Sequence, residues 1–191
     1  MDSKLFTEQK KFHGRVLDFG DEVLKLFSIQ VYDSVLVSLE FENEKFFQLF
    51  NLNTMQKIGD RINKGGGPND AAMPMIIYNN QKTAQFIDIA KGNVLTYNLE
   101  EFVHDEYVKP TSKLQLNTES ASKVALLSNG YLSFSPSENN QLTLFNTKGQ
   151  KVKEMAPYPN CLAEDYPSQE KHDIYVMGLI SNTTARFALC Y

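Results

Sequence analysis

The chain has 191 residues, 42% of them hydrophobic and 22% charged, with a net charge of −4 at pH 7. That is enough apolar material for a core, and no stretch approaches the roughly 18 apolar residues that cross a bilayer. Lysines and arginines are scattered without a basic run, so the cationic face that nucleic acid requires is not expected.

Residues 1–11 are polar and lack the apolar core of a signal region. Residues 12–19 read as one extra strand. A first repeat then covers 28–59. Within it, 28–33 alternates apolar and polar residues, and 34–40 puts Val35, Val37 and Leu39 on one face. A charged loop over 41–45 leads to a third strand at 46–52 and a short fourth near 55–59.

A second repeat covers 74–116, with strands at 75–78, 83–89, 94–99 and 113–116. Ala90-Lys91-Gly92-Asn93 is its turn, and Glu100, Glu101, Asp105 and Glu106 mark a solvated acidic connection. A third repeat covers 123–155, with strands at 123–127, 131–135, 141–146 and 150–155. Asn129-Gly130 and Lys148-Gly149 are its hairpin turns. Two further strands, at 174–180 and 184–191, begin a partial fourth repeat over 173–191.

One short pattern ties the repeats together: Phe50-Asn51-Leu52, Tyr97-Asn98-Leu99 and Phe145-Asn146-Thr147. The aromatic residues lie 97 − 50 = 47 and 145 − 97 = 48 positions apart. A period of about 40–50 residues built from short strands is that of a propeller blade. The expected fold is therefore all-β: a β-propeller fragment of three four-stranded blades plus part of a fourth, in one domain over 1–191. Six such blades would take roughly 280 residues by this architecture. The chain is expected to be the front half of a propeller, or to self-associate to finish one, because open blade faces and edges invite pairing.

The segment Ile58-Gly59 and Lys64-Gly65-Gly66-Gly67-Pro68-Asn69-Asp70, following Phe50-Asn51-Leu52-Asn53-Thr54, resembles the inter-blade connector of TolB-like six-bladed propeller proteins of Bacteroides and its relatives. Ser181-Asn182-Thr183-Thr184-Ala185-Arg186-Phe187-Ala188 is similar to a later hairpin of that family. Asp70 stands where the family more often has Glu, and the family's Pro-Asp-Gly is replaced in the hairpin. The resemblance implies a periplasmic or cell-envelope location and supplies no catalytic motif.

Sites of chemistry were sought and mostly read as structural. Gly65 to Pro68 lacks the Gly-Lys-Ser/Thr ending of a phosphate loop, so it is expected to be a tight crossover that binds no nucleotide. His13, His104 and His172 are far apart and lack the spacing of a zinc site. Cys161 and Cys190 are expected to be free thiols. Asn51, Asn98 and Asn146 are expected to start turns through their side-chain amides. No catalytic residue, metal or cofactor is expected.

Function is expected to be non-catalytic binding of a protein, peptide or glycan. The binding face would be formed by inter-blade connectors at 63–72, 109–122 and 160–171 and by second-to-third-strand loops. Glu42, Asn43, Asn69, Asp70, Lys91, Asn93, Asn139 and Asn140 are the candidate contacts. The alternative is half of a propeller-type hydrolase or lyase whose catalytic residues lie in other blades.

Overall fold

Period-two alternation, broken by turn residues at about ten-residue intervals, builds three antiparallel sheets in succession. The computed structural model describes residues 13–14, 16–20, 25–79, 82–116, 123–134 and 140–157, and the backbone pairing of 178–181 with 187–190. The first sheet holds β1 (Leu26–Tyr32), β2 (Val35–Glu40), β3 (Lys45–Asn51) and β4 (Gln56–Asn63). The second holds β5 (Pro74–Ile76), β6 (Thr83–Asp88), β7 (Asn93–Asn98) and β8 (Ser112–Gln115), with helix α1 (Leu99–His104) between its last two strands. The third holds β9 (Lys123–Leu127), β10 (Gly130–Phe134), β11 (Asn140–Asn146) and β12 (Lys151–Pro157). In each sheet, strands adjacent in sequence are adjacent in space. β13 (Gly178–Ser181) and β14 (Phe187–Cys190) form an antiparallel pair.

The sequence repeat is a repeat in register. Asn51 stands opposite Val35, Asn98 opposite Thr83 and Asn146 opposite Gly130, each partner being the first residue of its sheet's second strand. The ring one residue earlier, Phe50, Tyr97 or Phe145, is fully buried in every case. The third copy closes tightest, since a Cβ on Gly130 would lie 2.0 Å from the Phe145 carbonyl oxygen.

The three asparagines do start turns. Asn51 Oδ1 accepts from the Asn53 and Thr54 amides at 2.8 and 3.1 Å. Asn146 Oδ1 accepts from the Lys148 and Gln150 amides at 2.9 and 3.0 Å. Asn98 Oδ1 accepts from the Glu101 amide at 3.1 Å and caps α1. Losing such a cap costs about 1 kcal/mol. Asn98→Ala is therefore expected to lower the unfolding free energy by that amount, read as a lower urea midpoint with the slope unchanged.

The sheets stack face to face. Val37, Leu39, Phe47 and Leu49 of the first sheet pack against Ile76, Ala84, Phe86 and Leu95 of the second. Ile77, Ile87 and Val94 of the second pack against Val124, Tyr131 and Phe145 of the third. The rings of Phe47 and Phe86 are 4.1 Å apart across the first junction.

Three features differ from the sequence-based expectation. The first sheet does not end near 59: β4 runs to Asn63, because Ile58 is bulged opposite Leu49 and Phe50 rather than ending the strand. The acidic connection after Asn98 is not a solvated loop but α1, whose asparagine cap is followed three residues later by Glu101. The extra strand expected over 12–19 is not formed at 16–19: among the described residues no strand pairs with that stretch, and Phe19 lies on the Phe50 ring at 4.6 Å.

Burial of the tyrosines has a pH consequence. Burial pushes the Tyr32 hydroxyl up to about 12 and also raises Tyr97 and Tyr131. Unfolded tyrosine ionises near pH 10. Between those limits the unfolded chain binds fewer protons than the folded one, so stability falls as pH rises. Alkaline unfolding is expected to set in above about pH 10 on that ground. The Tyr97 hydroxyl has no hydrogen-bond partner among the described residues. Tyr97→Phe is expected to retain full stability at pH 7 and to shift the alkaline midpoint upward in a circular-dichroism titration.

Candidate functional site

The connector from β4 to β5 is tied down by Asp70 and Lys91. Asp70 Oδ2 accepts from the Gly67 amide at 3.0 Å. A Cβ at Gly65 or Gly67 would fall 2.7 or 2.6 Å from that oxygen, so a side chain at either position would displace the Asp70 carboxylate that ties the loop. Lys91 Nζ, from the turn between β6 and β7, donates to the carbonyls of Asp70 at 2.9 Å and Gly65 at 3.3 Å. It also pairs with the buried Asp88 at 3.7 Å. Asp88 in turn accepts from the Ala72 and Met73 amides at 2.9 and 3.0 Å, fixing the entry to β5.

Two of the predicted contacts, Asp70 and Lys91, thus meet each other in a bracing network. Glu42 pairs with Lys25 at 2.9 Å. Asn43 Nδ2 donates to Glu40 at 2.9 Å. Asn69 is exposed on the connector, and Asn93 is a half-buried ladder residue facing Asp88 and Gln115. Asn140 opens β11 opposite Pro157, and Asn139 lies outside the described residues.

The same region carries a cleft that sequence reasoning missed. It has a volume of about 630 Å³ and lies between β3, β4 and the end of α1. Asn43, Lys45, Gln48, Lys57, Asp60 and Arg61 form one wall, and His104 and Glu106 the other. A second cleft of about 350 Å³ adjoins it through Glu106 and is lined by Asn69, Asp70, Tyr107 and Lys109. Three predicted residues, Asn43, Asn69 and Asp70, line one or the other.

Arg61 builds the site. Its side chain is buried, with Nε donating to the Phe102 carbonyl at 2.7 Å, Nη2 to Val103 at 2.5 Å and Nη1 to Asp60 at 2.9 Å. Two of these are carbonyls of the last turn of α1, which no further helical turn satisfies. Burial lowers the guanidinium's proton affinity, and Glu106, Asp105 and Asp60 oppose that. Lys45 bridges to Glu106 at 2.9 Å and holds its carboxyl below the usual range. Lys45 Nζ also stands 5.9 Å over the Tyr107 ring. Asparagine at 98 with Glu101 three residues on was the one local signal for the helix that forms this wall.

Among the described residues, no group of three or more His, Cys, Asp or Glu side chains is placed to hold a metal ion. No helix among them is long and apolar enough to cross a membrane. The arrangement offers hydrogen-bond donors and acceptors of both signs around a polar cleft.

No family model matches the sequence, and no curated protein matches it. Solved structures do. A Bacteroides fragilis protein described as a candidate exported protein shares 20% identity and aligns with a TM-score of 0.54, over 72% of this chain and 39% of its own. BamB of Moraxella catarrhalis aligns at 0.40 with 9% identity, over 67% of this chain and 33% of its own. The WD40 repeats of RRP9 align at 0.44 with 16% identity, over 75% of this chain and 42% of their own. This chain spans well under two thirds of the length of each. The fold is all-β and of the propeller type, with three four-stranded blades and part of a fourth.

Proposed function

We propose that the chain is a non-catalytic binding module whose ligand, a protein, peptide or glycan, sits on the face where the β4–β5 connector, the β2–β3 loop and the end of α1 meet. The supporting observation is the pair of adjoining polar clefts joined at Glu106. Arg61, Asp70 and Lys91 brace their walls, so the surface is preorganised rather than assembled on binding. A mixed panel of peptides and neutral oligosaccharides, titrated into the ¹⁵N-labelled chain, tests this. Ligand-dependent shifts at residues 43–48, 57–61 and 104–109 are expected. Shifts confined to another surface, or none with any member of the panel, would overturn it.

TolB-like membership and a cell-envelope location are part of the same proposal. Their support is the connector at 64–70 and the likeness to the Bacteroides fragilis protein. Self-association is proposed as well. Leu26, Phe27, Ile29 and Val31 on β1 are each more than two-fifths exposed. Ile29 and Val31 lie on the face opposite Tyr32, away from the second sheet. Light scattering is expected to show a mass that rises with concentration, whereas a constant 21.7 kDa at high micromolar concentration would contradict it.

A further inference from the structure

Resting on that binding reading, we propose that the cleft between β4 and α1 is a site for a neutral, hydroxyl-rich ligand, a short uncharged oligosaccharide, with Tyr107 as its stacking platform. Volume comes first: about 630 Å³ lies inside the range of small-molecule sites, roughly 300–1,000 Å³. The polarity of the walls argues against an apolar ligand. Of the side chains lining the larger cleft, only Ile58 is hydrophobic.

Charge argues against an anion. The lining holds Lys45, Lys57 and Arg61 against Glu44, Asp60 and Glu106, so the signs balance. Each cation is already engaged: Lys45 with Glu106 at 2.9 Å, Lys57 with Asp60 at 3.1 Å, and Arg61 with the carbonyls ending α1. A phosphate or sulfate would have to break one of these pairs. Hydroxyl groups would not, because they donate to the carboxylates' remaining lone pairs and accept from remaining N–H groups.

Gln48 lies beneath the cleft floor at 2% exposure, and its amide oxygen has no hydrogen-bond partner among the described residues. The cleft floor is therefore polar as well as its walls.

Strand addition by a peptide is disfavoured. β4 is the outer strand of its sheet, but the bulge at Ile58 breaks its ladder. Lys57, Asp60 and Arg61 place charges along it, and bulges and charges are what blunt a strand edge against pairing. Tyr107 completes the site. The residue is 77% exposed and lines the smaller cleft, next to Glu106, which both clefts share, with Lys45 Nζ 5.9 Å over its ring. An aromatic face held in that way offers the C–H face of a sugar ring an apolar surface, with hydroxyls turned to the polar walls.

The test uses the full chain with neutral trisaccharides of glucose, mannose, xylose and N-acetylglucosamine, with sialyllactose and a set of uncharged tripeptides as comparators. At least one neutral sugar is expected to shift the amides of residues 43–48 and 104–109 saturably. Tyr107→Ala is expected to weaken that sugar at least tenfold while leaving the thermal midpoint unchanged. If tripeptides shift these amides and sugars do not, the sugar assignment falls and the binding module stands. If sialyllactose binds and neutral sugars do not, the charge argument is wrong and the assignment falls. If nothing in the panel moves these amides, the sugar assignment and the binding-module reading fall together.

Discussion

Phe86→Ala is expected to be among the most damaging single changes in the chain, costing about 3–5 kcal/mol. Phe86 is fully buried and sits 4.1 Å from Phe47, 5.3 Å from Phe102 and 5.8 Å from Tyr97 between ring centroids. Those partners come from the first sheet, from α1 and from the second sheet's own third strand. Deleting the ring opens a cavity that none of the three can fill alone, because each is held by its own backbone ladder or cap. With total stabilities of about 5–15 kcal/mol usual for such domains, that loss takes a large share of the whole. Urea unfolding checks it, with Tyr107→Ala as the exposed control, expected within about 0.5 kcal/mol of the parent.

Arg61→Met is expected to cost about 2–4 kcal/mol despite conserving much of the side chain's length. The loss does not come from a missing ion pair. It comes from the Phe102 and Val103 carbonyls, which lose their donors at the end of α1. Arg61→Lys is expected to recover less than half, since an ammonium cannot fork to two successive carbonyls as a guanidinium does. Hydrogen exchange separates this from general destabilisation. Amides in α1 are expected to exchange much faster in Arg61→Met, while those of β10 and β11 change only as far as global stability does.

The fold was legible because its signals are local and repeated. Phe50-Asn51, Tyr97-Asn98 and Phe145-Asn146 each state the same instruction: bury the ring, then turn on the amide. A strand's two-residue period then sets the rest of the register. The site was legible only in part. Asn43, Asn69 and Asp70 were named from their loop positions, and all three line one of the two clefts. The bracing bonds of Lys91 were not legible, because its partners are carbonyls 21 and 26 residues away in the chain. Arg61, Gln48 and Tyr107 were missed for a related reason. Arg61 reaches carbonyls 41 and 42 residues on, across a junction between two sheets. No periodicity within one strand records such a contact. The helix was hidden because its acidic first turn looks like solvated loop, and only the asparagine cap with Glu101 distinguishes the two.

The central claim is that the first two repeats stack face to face, with the helix of the second wedged against their shared ring cluster. Aromatic NOEs on a chain with selectively labelled phenylalanine test it most directly. Cross-peaks from Phe47 to Phe86 and from Phe86 to Phe102 are expected, as their ring centroids lie 4.1 and 5.3 Å apart. If Phe47 shows cross-peaks only within residues 26–63 and none to Phe86 or Phe102, the two sheets do not stack, and the cleft between β4 and α1 does not exist.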